Sequence, residues 1–372
     1  MSATLRDRIL LLLSIKESGK KIDFNHILEK VSRDEGRKVG ESELIDELES
    51  LVNEGLIMSG QEGYAITNGG LEIIKERLPS IEKSLNLSYR MMLVAREYYS
   101  QVADQIMPFL KDRPVSVVKI FSDDQDPIHK VKPLFVRYAR YKPKPTFISI
   151  DSKETLMRYV DDHAIDYIPY VHGFEMKAPD WLVLDLDAGE ELKSREEGFL
   201  AIKFVAKEIF DFLKENEVMP ALKFSGSRGI QVWAALDNSK IPKADLFAAY
   251  RSLIQNIQRN VEDRISSAQV PAELKELVER GLTTSSVAKK EERSMKVLID
   301  WSSMKPYGDV RAPFSLHYKT GLISCPIDPT RLMSFNPDEA KPERVSKDAD
   351  RLSRYFELSR SDPSRLIKAI GL

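Results

Sequence analysis

Residues 181–187, Trp-Leu-Val-Leu-Asp-Leu-Asp, constrain this chain more than any other stretch. The run is apolar as far as Asp185, and Asp187 follows after one leucine. A short, unbroken apolar run reads as a buried strand. Residues i and i+2 of a strand share a face, so Asp185 and Asp187 present two carboxylates side by side where that strand meets solvent. Like charges so placed repel unless a cation sits between them. Hard oxygen ligands with room for water and phosphate suit Mg²⁺ or Mn²⁺. Asp-x-Asp alone also fits a polar strand end.

Four further stretches bear on chemistry. Lys223-Phe-Ser-Gly-Ser-Arg-Gly-Ile-Gln231 lies between strand-like runs at Leu222–Phe224 and Ile230–Ala235. Gly226 and Gly229 let backbone N–H groups approach a ligand closely. Ser225, Ser227 and Arg228 add donors for phosphate oxygens. A plain hairpin turn favours Gly and Ser equally, but Arg228 in the turn and Lys223 before it tilt the reading toward phosphate. Arg293-Ser-Met-Lys-Val-Leu-Ile-Asp300 again ends an apolar strand on an aspartate. A third carboxylate is what two-metal phosphoryl transfer needs, and Arg293 is near it if the strand runs across the site. Arg311-Ala-Pro-Phe-Ser-Leu-His317-Tyr-Lys-Thr-Gly321 adds Ser315, His317 and Lys319. For His317 a triphosphate contact is the better reading, with a core or loop histidine as the other. Finally, Lys130, Lys132, Arg137, Arg140, Lys142 and Lys144 interleave with Phe135, Tyr138 and Tyr141. Cations and rings together suit a template path. A solvated basic face over ordinary core aromatics fits equally.

The chain has 372 residues, which predicts two or three domains. Residues 1–80 read as a winged helix-turn-helix: helical spacing at 4–16 and 23–35, a helix from a Ser42 cap through Val52, two short strands around Gly60–Gly63, and a helix over Leu71–Leu78 stopped by Pro79. The helix that would enter a DNA groove carries Glu41, Glu43, Asp46, Glu47, Glu49 and Glu54 and no Lys or Arg. Phosphates would repel that face, so a protein contact is at least as good a reading. Residues 81–112 form a helical connector. Residues 113–330 alternate strands and helices, and 331–372 are a polar tail with a helix over Asp348–Glu357. The lone Cys325 excludes an internal disulfide and a Cys-rich zinc knuckle. No apolar run reaches the roughly 18 residues of a membrane span. The N-terminus reads as a helix and not a signal peptide, so a cytoplasmic, membrane-free protein is expected. The formal net charge of −2 decides nothing, because binding a nucleic acid needs only local basic tracks.

The order Asp-Leu-Asp, then Ser-Gly-Ser-Arg-Gly-x-Gln, then a strand-end Asp resembles the three motifs of archaeo-eukaryotic primases. Tyr98-Tyr99 through Arg113-Pro-Val-Ser-Val, with Asp180–Asp187, resembles the polymerase domain of DNA ligase D. Ser-Leu-His-x-Lys-Thr-Gly resembles the archaeal primase small subunit. The likeness covers roughly residues 90–330. It implies an α+β primase–polymerase fold with an RNA-recognition-like half. It implies template-directed addition of NTPs or dNTPs, in replication priming or DNA repair. By motif match, Asp185, Asp187 and Asp300 become the catalytic metal ligands for two Mg²⁺ or Mn²⁺ ions, without zinc. Ser225, Gly226, Arg228, Gln231, Arg293 and His317 become nucleotide contacts, and Arg137, Arg140 and Lys142 nucleic-acid contacts. Expected partners are a DNA template or primer–template. A large primase subunit, a ligase or another replication or repair protein is expected on the acidic winged helix. The family's second motif usually ends in His, and this chain has Gln231. Gln can donate to a phosphate oxygen but carries no charge, so weaker triphosphate binding or a changed nucleotide preference is expected. The alternative is a catalytically weakened member that only binds nucleic acid or a partner.

Overall fold

The computed structural model describes residues 3–14, 21–35, 37–81, 87–120 and 133–371. They form two compact units: Met1–Ser100, Val118–Val136 and Glu154–Ile165 in one, Gln101–Val117, Arg137–Lys153 and Asp166–Leu372 in the other.

The first unit opens with α1 (Leu5–Ser14), α2 (Phe24–Glu35), α3 (Glu41–Asn53), the antiparallel hairpin β1 (Ile57–Gly60) and β2 (Gly63–Ile66), and α4 (Asn68–Ile81). Ile9, Leu13, Ile27, Val31, Leu44, Leu48, Leu51, Ile57 and Ile74 make its core. Asp23 caps α2, accepting the His26 N–H at 3.0 Å. Two expectations are corrected. Ser42 lies inside the first turn of α3, whose N-cap is Gly40 without a side-chain bond. Pro79 does not stop α4; it stands in the last turn, where a missing N–H costs a single ladder bond. On α3, Glu43 pairs with Arg37 at 2.6 Å, and Arg6 reaches Glu47 at 3.5 Å and Glu54. Part of that acidity is therefore neutralised within the unit.

The chain continues through α5 (Leu87–Leu110), β3 (Val115–Lys119), β4 (Leu134–Val136), β5 (Tyr138–Arg140), β6 (Thr146–Phe147), α6 (Lys153–Asp161) and β7 (Ala164–Pro169). Then come β8 (Leu182–Ala188), α7 (Gly198–Glu215), β9 (Pro220–Phe224), β10 (Ile230–Leu236), α8 (Leu246–Ser267), α9 (Lys275–Glu279), β11 (Thr283–Ser285), α10 (Lys290–Arg293) and β12 (Val297–Asp300). After them lie β13 (Pro326–Ile327), α11 (Pro342–Arg354), β14 (Arg360–Ser361) and α12 (Ser364–Ala369). The tail helix is thus α11 and not Asp348–Glu357. It starts at Pro342, a residue whose fixed φ suits the first helical position.

A seven-stranded sheet in the order β11-β12-β8-β10-β9-β13, with β14 against β10, builds the second unit. Strands β12, β8, β10, β9 and β13 are antiparallel neighbours. On β8 the side chains alternate by face. Leu182, Leu184, Leu186 and Ala188 are buried on one side. On α7, Ala201, Ile202, Val205, Ile209 and Leu213 are buried, and the helix packs on β8, β9 and β10. The opposite side of β8 carries Trp181, Val183, Asp185 and Asp187. Trp181 packs against Trp233 of β10 with ring centroids 5.0 Å apart, so this second face is aromatic at one end and carboxylate-bearing at the other.

Candidate active site on the open end of the sheet

Strand register assembles the site. Asp300 of β12 is paired with Asp185 of β8, Asp185 with Gln231 of β10, and Gln231 with Lys223 of β9. Directly opposed residues share a face. Asp300, Asp185, Gln231 and Lys223 therefore form one row across four strands, with Asp187 beside it on β8. Asp185 and Asp187, neighbours on β8, thus share one surface with Asp300, which is distant in the chain.

Burial and crowded like charges set the electrostatics of this row. Burial pushes the Asp185 carboxyl up to about 6; Asp300 and Asp187 push the same way, against Lys223 and a hydrogen bond from Gln231. Burial lowers the Lys223 ammonium to about 7, helped by Arg311 and opposed by Asp185. Lys223 is 0% exposed, donates to Ser324 Oγ at 2.6 Å, and lies 5.3 Å above the Trp233 ring. Asp300 is held from outside the row: its Oδ1 accepts from Ser286 Oγ at 2.9 Å and from the Ser302 N–H at 2.8 Å. Asp187 is exposed and its Oδ1 accepts the Ala188 N–H at 2.9 Å. Among the described residues no three acids, histidines or cysteines converge closely enough to hold an ion as they stand. The donors nevertheless fit Mg²⁺ or Mn²⁺ in kind: all are carboxylate oxygens on one face. Their mutual repulsion, which raises Asp185, is what a divalent ion relieves.

The Ser225–Gly229 turn joins β9 to β10 beside the row. Ser225 Oγ accepts the Gly229 N–H at 3.1 Å and the Ser227 N–H at 3.3 Å, which closes the turn. Gly226 has φ +88°, and a Cβ there would stand 2.9 Å from the Cβ of His317. At Gly229 a Cβ would stand 2.4 Å from the Leu186 carbonyl oxygen, between the two aspartates of β8. Both glycines are therefore fixed by close approach. Arg228 is exposed on this turn.

The Arg311–Gly321 segment packs against that turn. Arg311 grips Asp166 of β7 with two bonds, at 2.8 and 2.9 Å, and donates to the Ser225 carbonyl at 3.2 Å. Thr320 Oγ1 donates to the Gly226 carbonyl at 2.5 Å. His317 Nδ1 accepts the Lys319 N–H at 3.1 Å, so a neutral ring carries its proton on Nε2. Burial drives the His317 pKa down to about 4, and Arg311 adds to the effect. Arg293 Nη1 donates to the Ser286 carbonyl at 2.6 Å, and Ser286 also holds Asp300, so Arg293 is one residue removed from the third carboxylate.

Arg137, Arg140 and Lys142 are exposed on and beside β5. Lys130 and Lys132 lie outside the described residues. Tyr138 packs on Phe147 at 5.2 Å and on Tyr141 at 5.8 Å, and Phe147 reaches Tyr307 at 6.1 Å. Arg137 approaches Asp309 at 3.7 Å, two residues from Arg311. The basic β5–β6 pair and the Ser225–Gly229 turn thus both reach residues 307–311.

Sequence reading missed Asp166, Ser286, Thr320 and Tyr307. Asp166 is the most consequential, fully buried on a strand absent from the sequence-based expectations. Its signal was the apolar run Ala-Ile-Asp-Tyr-Ile-Pro.

Residues 94–356 match the family model described as LigD, primase-polymerase domain. The polymerase domain from Mycobacterium tuberculosis ligase D in complex with DNA is similar in structure, with a TM-score of 0.53 and 19% identity over 70% of this chain and 91% of that chain. At that identity the likeness shows the fold alone. No curated protein matches the chain.

Proposed function

The chain belongs to the LigD primase–polymerase domain family, a family of nucleotidyltransferases in DNA repair, and on that premise we propose that it is a template-directed polymerase. Its active site is the face bearing Asp185, Asp187 and Asp300. The observation that carries this reading is the opposition of Asp300 and Asp185 across β12 and β8, with Asp187 two residues on and a glycine turn alongside.

Asp185, Asp187 and Asp300 would hold two Mg²⁺ or Mn²⁺ ions. Bound there, such ions make a primer 3′-hydroxyl more acidic and neutralise a triphosphate. The 3′-hydroxyl gives its proton to water, its oxygen attacks the α-phosphorus of an NTP or dNTP, the bond to the β-phosphate oxygen breaks, and pyrophosphate leaves. Ser225, the Gly226 backbone, Arg228 and Arg293 supply donors to the phosphates. His317, neutral at physiological pH, offers Nε2–H as an uncharged donor. Arg311, anchored on Asp166, holds the two phosphate loops together. Arg137, Arg140 and Lys142 track the phosphates of a DNA strand, while Tyr138, Tyr141 and Tyr307 offer ring faces to bases. The N-terminal helices and hairpin, read as a winged helix with an acidic α3, serve contact with a protein partner.

An extension assay with Mn²⁺ on primed and unprimed templates, with each NTP and dNTP, tests the proposal. Wild type extends and Asp185→Asn and Asp300→Asn do not. Absence of product from wild type under every condition overturns it. The buried Gln231 favours one other reading, a weakened member that only binds nucleic acid. Its mark would be primer–template affinity unchanged by Asp185→Asn, with no synthesis and no metal dependence.

A further inference from the structure

Gln231 stands where the family motif usually has His, and its surroundings give it a different task from gripping phosphate. It is 4% exposed. Its Oε1 accepts from Trp233 Nε1 at 3.0 Å. An indole N–H can only donate, so the amide oxygen must face Trp233. The amide nitrogen then faces the other way, toward Asp185, which lies directly opposite Gln231 on β8 and whose ionised form that amide favours. An ionised carboxylate can only accept, so the directions agree along the whole chain from Trp233 through Gln231 to Asp185. Trp233 is itself wedged, fully buried, between Trp181 at 5.0 Å and Phe356 at 5.5 Å. The indole therefore has a fixed direction, and it fixes the amide.

We propose that Gln231 is a positioning residue: it orients the Asp185 carboxylate toward the divalent cation, with Trp233 setting the sense of its amide, and it does not touch the triphosphate. Lys223, next in the row, completes the arrangement. Its buried ammonium is tied to Ser324, where it offsets the charge of Asp185 without reaching solvent. The anion-binding work that the sequence assigns to the end of this motif falls instead on the Ser225–Gly229 turn and His317. This inference rests on the three carboxylates being metal ligands. Outer groups that orient a metal ligand typically contribute about 10–100-fold in affinity.

The test is Mn²⁺ binding to the full chain without nucleotide, by calorimetry or by the EPR signal of free Mn²⁺. Gln231→Met keeps length and bulk while removing the amide. It should weaken Mn²⁺ binding by about tenfold or more, yet leave the nucleotide KM at saturating Mn²⁺ within about twofold of wild type. Trp233→Phe, which frees the amide to flip, should weaken Mn²⁺ binding in the same direction and by less. Should Gln231→Met unfold, Trp233→Phe carries the test by itself. Wild-type Mn²⁺ affinity in the Gln231 variant, with a raised nucleotide KM, would make Gln231 a phosphate contact and overturn the proposal. Failure of the underlying reading looks different: wild type and Asp185→Asn would then bind Mn²⁺ equally.

Discussion

Replacing Arg311 by Met should destabilise the second unit strongly, and the structure sets the scale. Asp166 is 0% exposed and Arg311 15% exposed. Two of the four contacts that the carboxylate accepts come from the guanidinium; the other two, from Ser315 Oγ at 3.2 Å and the Tyr318 N–H at 3.3 Å, are neutral and long. Removing the cation leaves a buried carboxylate with only those two. Breaking such a pair from one side costs about 3–5 kcal/mol. For a unit of this size each kcal/mol shifts Tm by about 2–4 °C, so a fall of roughly 6–20 °C is expected. Tryptophan fluorescence reads this unit alone, because Trp181, Trp233 and Trp301 all lie in it. The double variant Asp166→Asn/Arg311→Met removes both charges and should recover most of the loss, since a buried pair replaced as a whole is often neutral. A single variant melting within about 2 °C of wild type would refute this reasoning. So would costs that simply add in the double variant.

Gly229→Ala should cut extension by about a hundredfold, because its Cβ displaces the Leu186 carbonyl that separates Asp185 from Asp187. Gly40→Ala, whose nearest neighbour is 3.9 Å away, should leave the rate unchanged, and equal rates in both variants would contradict the account. Changing Arg137, Arg140 and Lys142 together to Gln should weaken single-strand binding and lower the log–log salt slope by about 2; an unchanged slope removes them from the path. His317 has a folded pKa of about 4, against roughly 6.5 when unfolded. The unfolded chain therefore takes the proton first, and the stability held by the neutral ring is complete above pH about 6.5 and lost as pH falls toward 4. Fluorescence melts over that window should fall less steeply in His317→Gln, and identical slopes would show that the ring is not held neutral.

What was legible in the sequence followed from strand period. Trp181–Asp187 and Val297–Asp300 announce strands that end on carboxylates, and the glycine turn lies between two apolar runs. The row Asp300, Asp185, Gln231, Lys223 was not legible, because it depends on register between strands distant in sequence. Without that register Gln231 reads as a substitute phosphate contact, whereas its opposition to Asp185 and its bond to Trp233 turn it inward. Strand β7 escaped notice because Asp166 interrupts its apolar run, and a buried charge makes sense only once Arg311 is known to face it. Strands β13 and β14 are two residues long, too short for any periodicity to show. No helix among the described residues is long and apolar enough to cross a membrane.

The central claim is that Asp185, Asp187 and the sequence-distant Asp300 share divalent cations, and a Mn²⁺-soaked crystal with anomalous diffraction addresses it directly. The account predicts anomalous peaks within direct ligand distance of Asp185, Asp187 and Asp300, with Asp187 rotated away from the Ala188 N–H. Crystals with Mn²⁺ bound elsewhere, and none beside these three side chains, would contradict it.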